Sequence, residues 1–429
     1  MPLLVLAFAV AFTAAFGCSE EVEPEQPVDE PLPARPTPSY SEGNLSVAQR
    51  GVAIDEHDLA VIGTGSVGVS PDELTGSFGL LVLNRPYVDW RTTRCPRSSE
   101  AAEYLPRARS EAIINALADE RDVHFDKIAV NVALLTPGQR ALLYVCFDEG
   151  ARVARFDVEE HRRSIIAAFQ DLAGLPGIAY ITVGVEMNRY YHLVTEDGEP
   201  LLDDYTNWVT LYRDVYRAIK EVNPDVKVGP GISWAVFRRR TMPAIAEELR
   251  LEDRDGVEAA VAAARRTILP LLAAGRGAAR EKTADYLGVT MIPFDVEAPF
   301  EGEAASDDPD RLADLLDYWV YLPYLLGEGD ARLPLVLPIV DWAEASGAGG
   351  AKKGPFLTTL KRAVSDFGVA WAAWRRLSDL PRRPEGQNPC NTFTANQDPA
   401  LRYEASYCRS GMMEESGVRR DVFEVLTED

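Results

Sequence analysis

The stretch Tyr180–Tyr191, YITVGVEMNRYY, decides how this chain is read. It opens as an uncharged, β-branched run and closes on a glutamate, Glu186, with Asn188, Tyr190 and Tyr191 behind it. A strand that apolar is covered on both faces, which is the condition of a parallel sheet with helices outside. The same alternation continues downstream. DVEEHRRSIIAAFQDLAG, before the strand, reads as an amphipathic helix opened by a capping box of Asp157 and Glu160. NWVTLYRDVYRAIKEVN, after it, is helical up to Pro224, and VKVGPGIS is the next strand. An Ala-rich helical region from about 241 to 281 leads into the strand DYLGVTMIPF. DPDRLADLLDYWVYLPYLLGEG reads as a helix kinked at Pro323. LPLVLPIVDW and FGVAWAAWRRLSD are strands separated by the helical FLTTLKRAV. Repeated β-α units over ~250 residues predict an α/β chain folded as a (β/α)8 TIM barrel rather than an open sheet.

Upstream the pattern is less regular. FGLLVLN and DKIAVNVALL are strands flanking a helix near 99 to 119. ALLYVCF follows after only TPGQR, too short for a parallel crossover, so either that pair is antiparallel or the strand count is off by one. GTGSVG, with Gly63, Gly65 and Gly68, has the spacing of a dinucleotide fingerprint. The fingerprint needs a helix directly behind it. VSPDELTG follows instead, interrupted by Pro71 and Gly76, so a glycine-rich turn is expected.

The first 17 residues are uncharged and almost all apolar, too short for a comfortable membrane span, and read as a signal peptide. Residues 18–44 begin with Cys18 and continue as a Pro- and Glu-rich tether that lacks the apolar groups to order itself. Residues 45–429 then form a single barrel domain with an irregular N-terminal part. The tether carries seven acids and one arginine, −6 of the net −23, which leaves −17 on the body. An acidic body repels phosphate backbones, so nucleic acid is not an expected partner. Five cysteines fit an exported chain. Cys390 and Cys408 flank one polar loop and are expected to pair, leaving Cys95 and Cys146 for each other. With four histidines and neither CxxC nor HExxH, no transition-metal site or other cofactor is expected.

In a (β/α)8 barrel, residues just past the C-terminal strand ends line the active face. Glu186 falls there, at the end of the fourth strand. A carboxylate partly desolvated among aromatic rings is suited to donate a proton near neutral pH. The plain alternative is a glutamate held by a neighbouring cation such as Arg189, or by a backbone amide. Tyr190, Tyr191, Trp342 and Trp374 fall at predicted strand ends, where flat rings stack on sugars or simply pack. His192 is read as a loop histidine, and VTEDGEPLLDD as a solvated acidic loop rather than a calcium site.

Residues 157–425 resemble the clan of retaining glycoside hydrolases built on this barrel. YITVGVEMNRYY resembles the clan's fourth-strand motif, in which Gly-Asn-Glu ends the strand and the Glu is the acid/base. YRAIKEVNPDVKVGPG is similar to the next helix-strand unit, DYLGVTMIPF to the sixth strand, and SGMMEESGVRRDVFEVL to the closing helix. WAAWRRLSD is similar to the eighth strand, whose tryptophan, here Trp374, floors the sugar site. AFGC, ending in Cys18, resembles a bacterial lipoprotein signal, which implies acylation of Cys18 and a lipid anchor in the cell envelope; the alternative is plain export. The resemblance implies a glycan partner, with Asn188, Tyr190, Trp342 and Trp374 around it.

Two positions depart from the clan. Val185 stands where it has the Asn that holds a sugar hydroxyl. Ile339 stands where the seventh strand should end in the nucleophilic Glu, so the second catalytic Glu is missing. Asp341, two residues on, or Glu344 in the following loop are the candidate replacements. A shorter Asp opens the carboxyl separation toward the ~6.5–9.5 Å of inverting enzymes, with Asp341 as base and Glu186 as acid. Asp341 paired with an arginine is the competing reading. Two functions stay open: a glycan hydrolase with a displaced carboxylate, and a non-catalytic barrel that binds glycan or serves a structural role at the cell surface.

Overall fold

The structure is a computed structural model that describes residues 45–63, 68–87, 106–135, 144–147, 150–153, 156–192, 202–251, 256–274, 281–292, 333–341, 357, 360, 369–378, 411–412 and 421–427. The signal peptide, the tether, Cys18, Cys95, Cys390, Cys408, Trp342, Glu344 and the helix expected to kink at Pro323 lie outside the described residues.

Eight parallel strands close into a barrel in chain order. They are β1 (Arg50–Ala53), β2 (Leu80–Pro86), β3 (Ile128–Ala133), β4 (Ile178–Val183), β5 (Lys227–Ser233), β6 (Leu287–Thr290), β7 (Leu335–Val340) and β8 (Val369–Trp374). β1 pairs with β8, which removes both sheet edges. Glu186 follows the fourth strand, as its sequence position implies. ALLYVCF is not a barrel strand: Tyr144–Phe147 pairs antiparallel with Gly150–Val153 in a separate hairpin. That hairpin carries Cys146, so the expected Cys95–Cys146 bridge is half outside the described residues.

Three local expectations shift. Pro71 does not interrupt a helix but starts one. Helix α1 (Pro71–Ser77) has Pro71 in its first turn and Ser70 as its cap, accepting from the Glu73 amide. Proline's missing N–H costs nothing at that position. Helix α2 spans Pro106–Arg121. Helix α3 (Glu159–Ala173) has Val158, not Asp157, at its N-cap position. Helix α4 spans Leu202–Val222. The Ala-rich region is broken into helices at Met242–Glu248, Val257–Thr267 and Leu269–Leu272.

Side-chain alternation along the strands divides the core in two. The larger apolar cluster lies between the wall and the helices, and a smaller one fills the barrel with Ala53, Leu80, Val82, Ala129, Tyr286, Val336, Trp371 and Ala373. Tyr180 joins the inner set, its ring 5.5 Å from that of Trp371 and 6.0 Å from that of Tyr286. Gly229 makes room: a Cβ there would meet the Tyr286 ring at 2.5 Å. Burial pushes the Tyr286 phenol far above its ordinary range, so it stays neutral and pairs with Thr182 Oγ1 at 3.0 Å. Above this layer Asn131 donates to Asn84 Oδ1 (2.9 Å) and to the Pro338 carbonyl (3.1 Å). Pro338 has no amide to give the ladder, and the register of β7 against β8 shifts on either side of Leu337.

Candidate functional site

The candidate site is the C-terminal mouth of the barrel. At the end of β4 the chain turns sharply through two left-handed residues, Gly184 (φ 73°) and Glu186 (φ 57°). A Cβ at Gly184 would strike Met187 and Trp208, so only glycine fits. Glu186 has no such licence, and a non-glycine residue in this region costs roughly 1–2 kcal/mol. Its side chain is almost fully buried, and Oε2 accepts from Arg189 Nε at 2.8 Å within a 3-10 helix, Met187–His192. The ion pair with Arg189 is therefore present. A buried carboxylate next to a buried guanidinium relieves the cost of both charges.

Asn188 is completely buried and clamps a backbone. Its Nδ2 donates to the Ser233 carbonyl (2.9 Å) and its Oδ1 accepts from the Ser233 amide (2.7 Å), which ties the ends of β4 and β5 together. Tyr190 is buried against Phe156, ring centroids 5.2 Å apart, and its hydroxyl donates to Asp204 Oδ2. Asp341 is completely buried, and its Oδ2 accepts from Arg375 Nη1 at 3.2 Å. Trp374 lies in the outer cluster, beside a cavity lined by Leu45, Phe78, Val340, Leu357, Leu360 and Leu426.

The two positions that depart from the clan pattern meet in space. Val185 and Ile339 share a small apolar cluster with Ile292, against Ala133, between the ends of β3, β4, β6 and β7. Both side chains are buried within that cluster.

The half-exposed face of the mouth is different in kind. Tyr191 and His192 end the 3-10 helix, and His192 Nε2 pairs with Thr241 Oγ1 at 2.9 Å. Thr241 closes a π-helix, Phe237–Thr241, that carries Arg238, Arg239 and Arg240 in succession. This arginine run and Arg375 escaped the sequence reading. The signal was available in FRRRT and WAAWRR, charged runs directly behind strands in an acidic chain.

Comparison with solved structures follows from this geometry. The fold is that of the (β/α)8 glycoside hydrolases. The GH5_18 protein of Streptomyces cattleya, solved with GlcNAc, superposes with a TM-score of 0.54 at 14% identity, over 90% of this chain and 80% of that one. The exo-β-1,4-mannosidase Op5Man5 from Opitutaceae bacterium strain TAV5 gives a TM-score of 0.53 at 14% identity, over 90% of this chain. This chain spans 61% of the mannosidase's length. A GH5_18 protein from Bifidobacterium longum subsp. longum ATCC 55813 gives 0.51 at 12% identity, over 89% of this chain and 78% of that one. No family model and no curated protein sequence matches the chain.

Proposed function

We propose that this chain is an exported, membrane-tethered barrel that binds a glycan at its C-terminal face and does not cleave it with a pair of carboxylates. The observation that carries this reading is that Val185 and Ile339 lie buried in one apolar cluster, where the clan pattern has a sugar-binding Asn and a nucleophile. An isoleucine neither attacks an anomeric carbon nor stabilises an oxocarbenium ion. The two candidate acids among the described residues, Glu186 and Asp341, are buried and held by Arg189 and Arg375. Hydrolysis with Glu186 as acid and Asp341 as base requires both pairs to open, and each opening strands a buried charge at a cost of roughly 3–5 kcal/mol.

Glycan as the partner is supported by the company the fold keeps: one neighbour is named a mannosidase, and structures of the Streptomyces protein hold GlcNAc and Manβ1-4GlcNAc. Tyr191, His192 and the half-exposed arginines of the π-helix offer the ring and the hydrogen-bond donors that a sugar needs. Export and anchoring rest on the apolar residues 1–17, on Cys18 and on the tether behind it. Acylation at Cys18 would be lost in Cys18→Ala, as read by metabolic labelling with a radioactive fatty acid.

The test is a glycan array probed with the mature chain and with Glu186→Gln, followed by a reducing-end assay on the hits. Binding without release supports the proposal. Release that disappears in Glu186→Gln makes the chain a hydrolase and overturns it. Failure to bind any glycan removes the glycan itself.

A further inference from the structure

Arg85 stands at the C-terminal end of β2. Leu80 and Val82 point into the barrel and Leu81 and Leu83 point out, so Arg85 points out, under the helices. It is 2% exposed. Its Nη1 donates to Asp55 Oδ1 (3.1 Å) and to the Asn84 carbonyl (3.3 Å). Its Nε and Nη2 are buried and have no partner among the described residues. These two nitrogens form the side-on edge of the guanidinium, whose parallel N–H bonds match the two oxygens of a carboxylate or phosphate.

The helix α2 packs on β2 with Pro106, Ser110, Ile113 and Leu117 buried. In a β/α unit the helix runs back along its strand, so its first turn lies over the strand's C-terminal end. There, Arg109 Nη1 and Ser110 Oγ are also buried and unpartnered among the described residues. Arg109 is near enough for its charge to act on both Arg85 and Asp55. Among the described residues, three buried donor atoms of Arg85 and Arg109 thus lack partners in one corner, and Ser110 Oγ, next to Arg109 on α2, is a fourth. The corner holds two guanidinium groups and the half-exposed acid Asp55, with exposed Glu56 near enough for its charge to act on Arg85. Each such orphan is costly, and native interiors supply it with an acceptor.

We propose that the corner between the end of β2 and the first turn of α2 binds a small oxyanion, a carboxylate or a phosphate, through the side-on edge of Arg85, Arg109 Nη1 and Ser110 Oγ. Water can satisfy single hydrogen bonds, whereas a two-oxygen anion meets the parallel donors of the guanidinium edge together, and it sits at the positive end of the α2 dipole. The site lies at the same C-terminal end of the barrel as Glu186 but at the end of a different strand; it shares no residue with the proposed glycan contacts, so it stands or falls independently of the glycan reading.

The experiment is a calorimetric and thermal-shift titration of the mature chain with sodium phosphate and, in parallel, sodium acetate, each against sodium chloride at matched ionic strength. A saturable response with one-site stoichiometry is expected, and the stronger anion tells phosphate chemistry from carboxylate chemistry. Arg109→Gln, at a half-exposed position that leaves the wall intact, shifts the midpoint roughly tenfold or more, since a bond to a charged group is lost. Ser110→Ala shifts it less, and Lys127→Gln, on an exposed position outside the corner, leaves it unchanged. Arg85→Met abolishes the response if the variant folds. No saturable response to either anion, or an unchanged midpoint in Arg109→Gln, overturns the proposal.

Discussion

Two corners of the same barrel treat their buried polar groups in opposite ways. At the ends of β4 and β5, Glu186 is answered by Arg189, both faces of the Asn188 amide are answered by the Ser233 backbone, and the Tyr190 hydroxyl by Asp204. At the end of β2, among the described residues, Arg85 keeps one edge unanswered, and Arg109 and Ser110 each keep an atom unanswered. A polar cluster whose bonds all close on one another is architecture, whatever residue types compose it. A cluster that leaves a shaped set of donors open points to something outside the chain. The difference separates the residues that look catalytic in this sequence from those that are still able to engage a ligand.

The largest expected effect breaks the closed corner. Arg189→Met leaves the Glu186 carboxylate buried without its counter-ion, and roughly 3–5 kcal/mol of unfolding free energy should be lost in urea denaturation. Adding Glu186→Leu to it should recover most of that loss, because two apolar groups replace two charges. A loss under about 1 kcal/mol in the single variant would show that the pair is solvated and that Glu186 is available for chemistry.

A smaller effect is expected at the clamp. Asn188→Ala removes one acceptor and one donor from the Ser233 backbone, both buried, which should cost about 2–3 kcal/mol. Glycan binding should weaken as well if the β4–β5 end presents Tyr191 and His192, because the clamp sets the position of their helix. Stability lost with binding unchanged would place the ligand elsewhere on the rim.

How much of this was legible beforehand follows the same division. The barrel could be read because its strands are apolar on both faces and its helices amphipathic, and those periods are carried by many residues at once. Strand numbering survived as far as Glu186 because ALLYVCF was suspect on loop length alone. The start of α1 was misread because Pro71 was taken as a breaker, when its effect depends on whether it falls in the first turn. The site was legible in position but not in state. A sequence shows that Glu186 ends a strand; it does not show that a left-handed backbone turns the side chain onto Arg189 three residues later. Nor can it show that Val185 and Ile339, 154 positions apart, fall in one buried cluster. The open edge of Arg85 carries no pattern at all, because an orphan is defined by what fails to approach it.

The smallest expected effect sharpens the comparison at the open corner, through Asp55. Burial pushes its carboxyl up, but Arg85, with His57, the Glu56 amide and Arg109, outweighs that and holds it below the ordinary value. A carboxylate with a depressed folded value stabilises the fold above its unfolded value, and that contribution fades as the pH falls through the folded one. Asp55→Asn should therefore lower stability at neutral pH and make little difference in strong acid. Because the side chain is 50% exposed, solvent screening limits the loss to about 1 kcal/mol or less. The same substitution removes the acid paired with Arg85 while leaving an oxygen for its Nη1. If the corner is an anion site, Asp55→Asn tightens phosphate or acetate binding even as it weakens the fold. If the corner is closed architecture, the substitution weakens the fold and leaves anion affinity where it was.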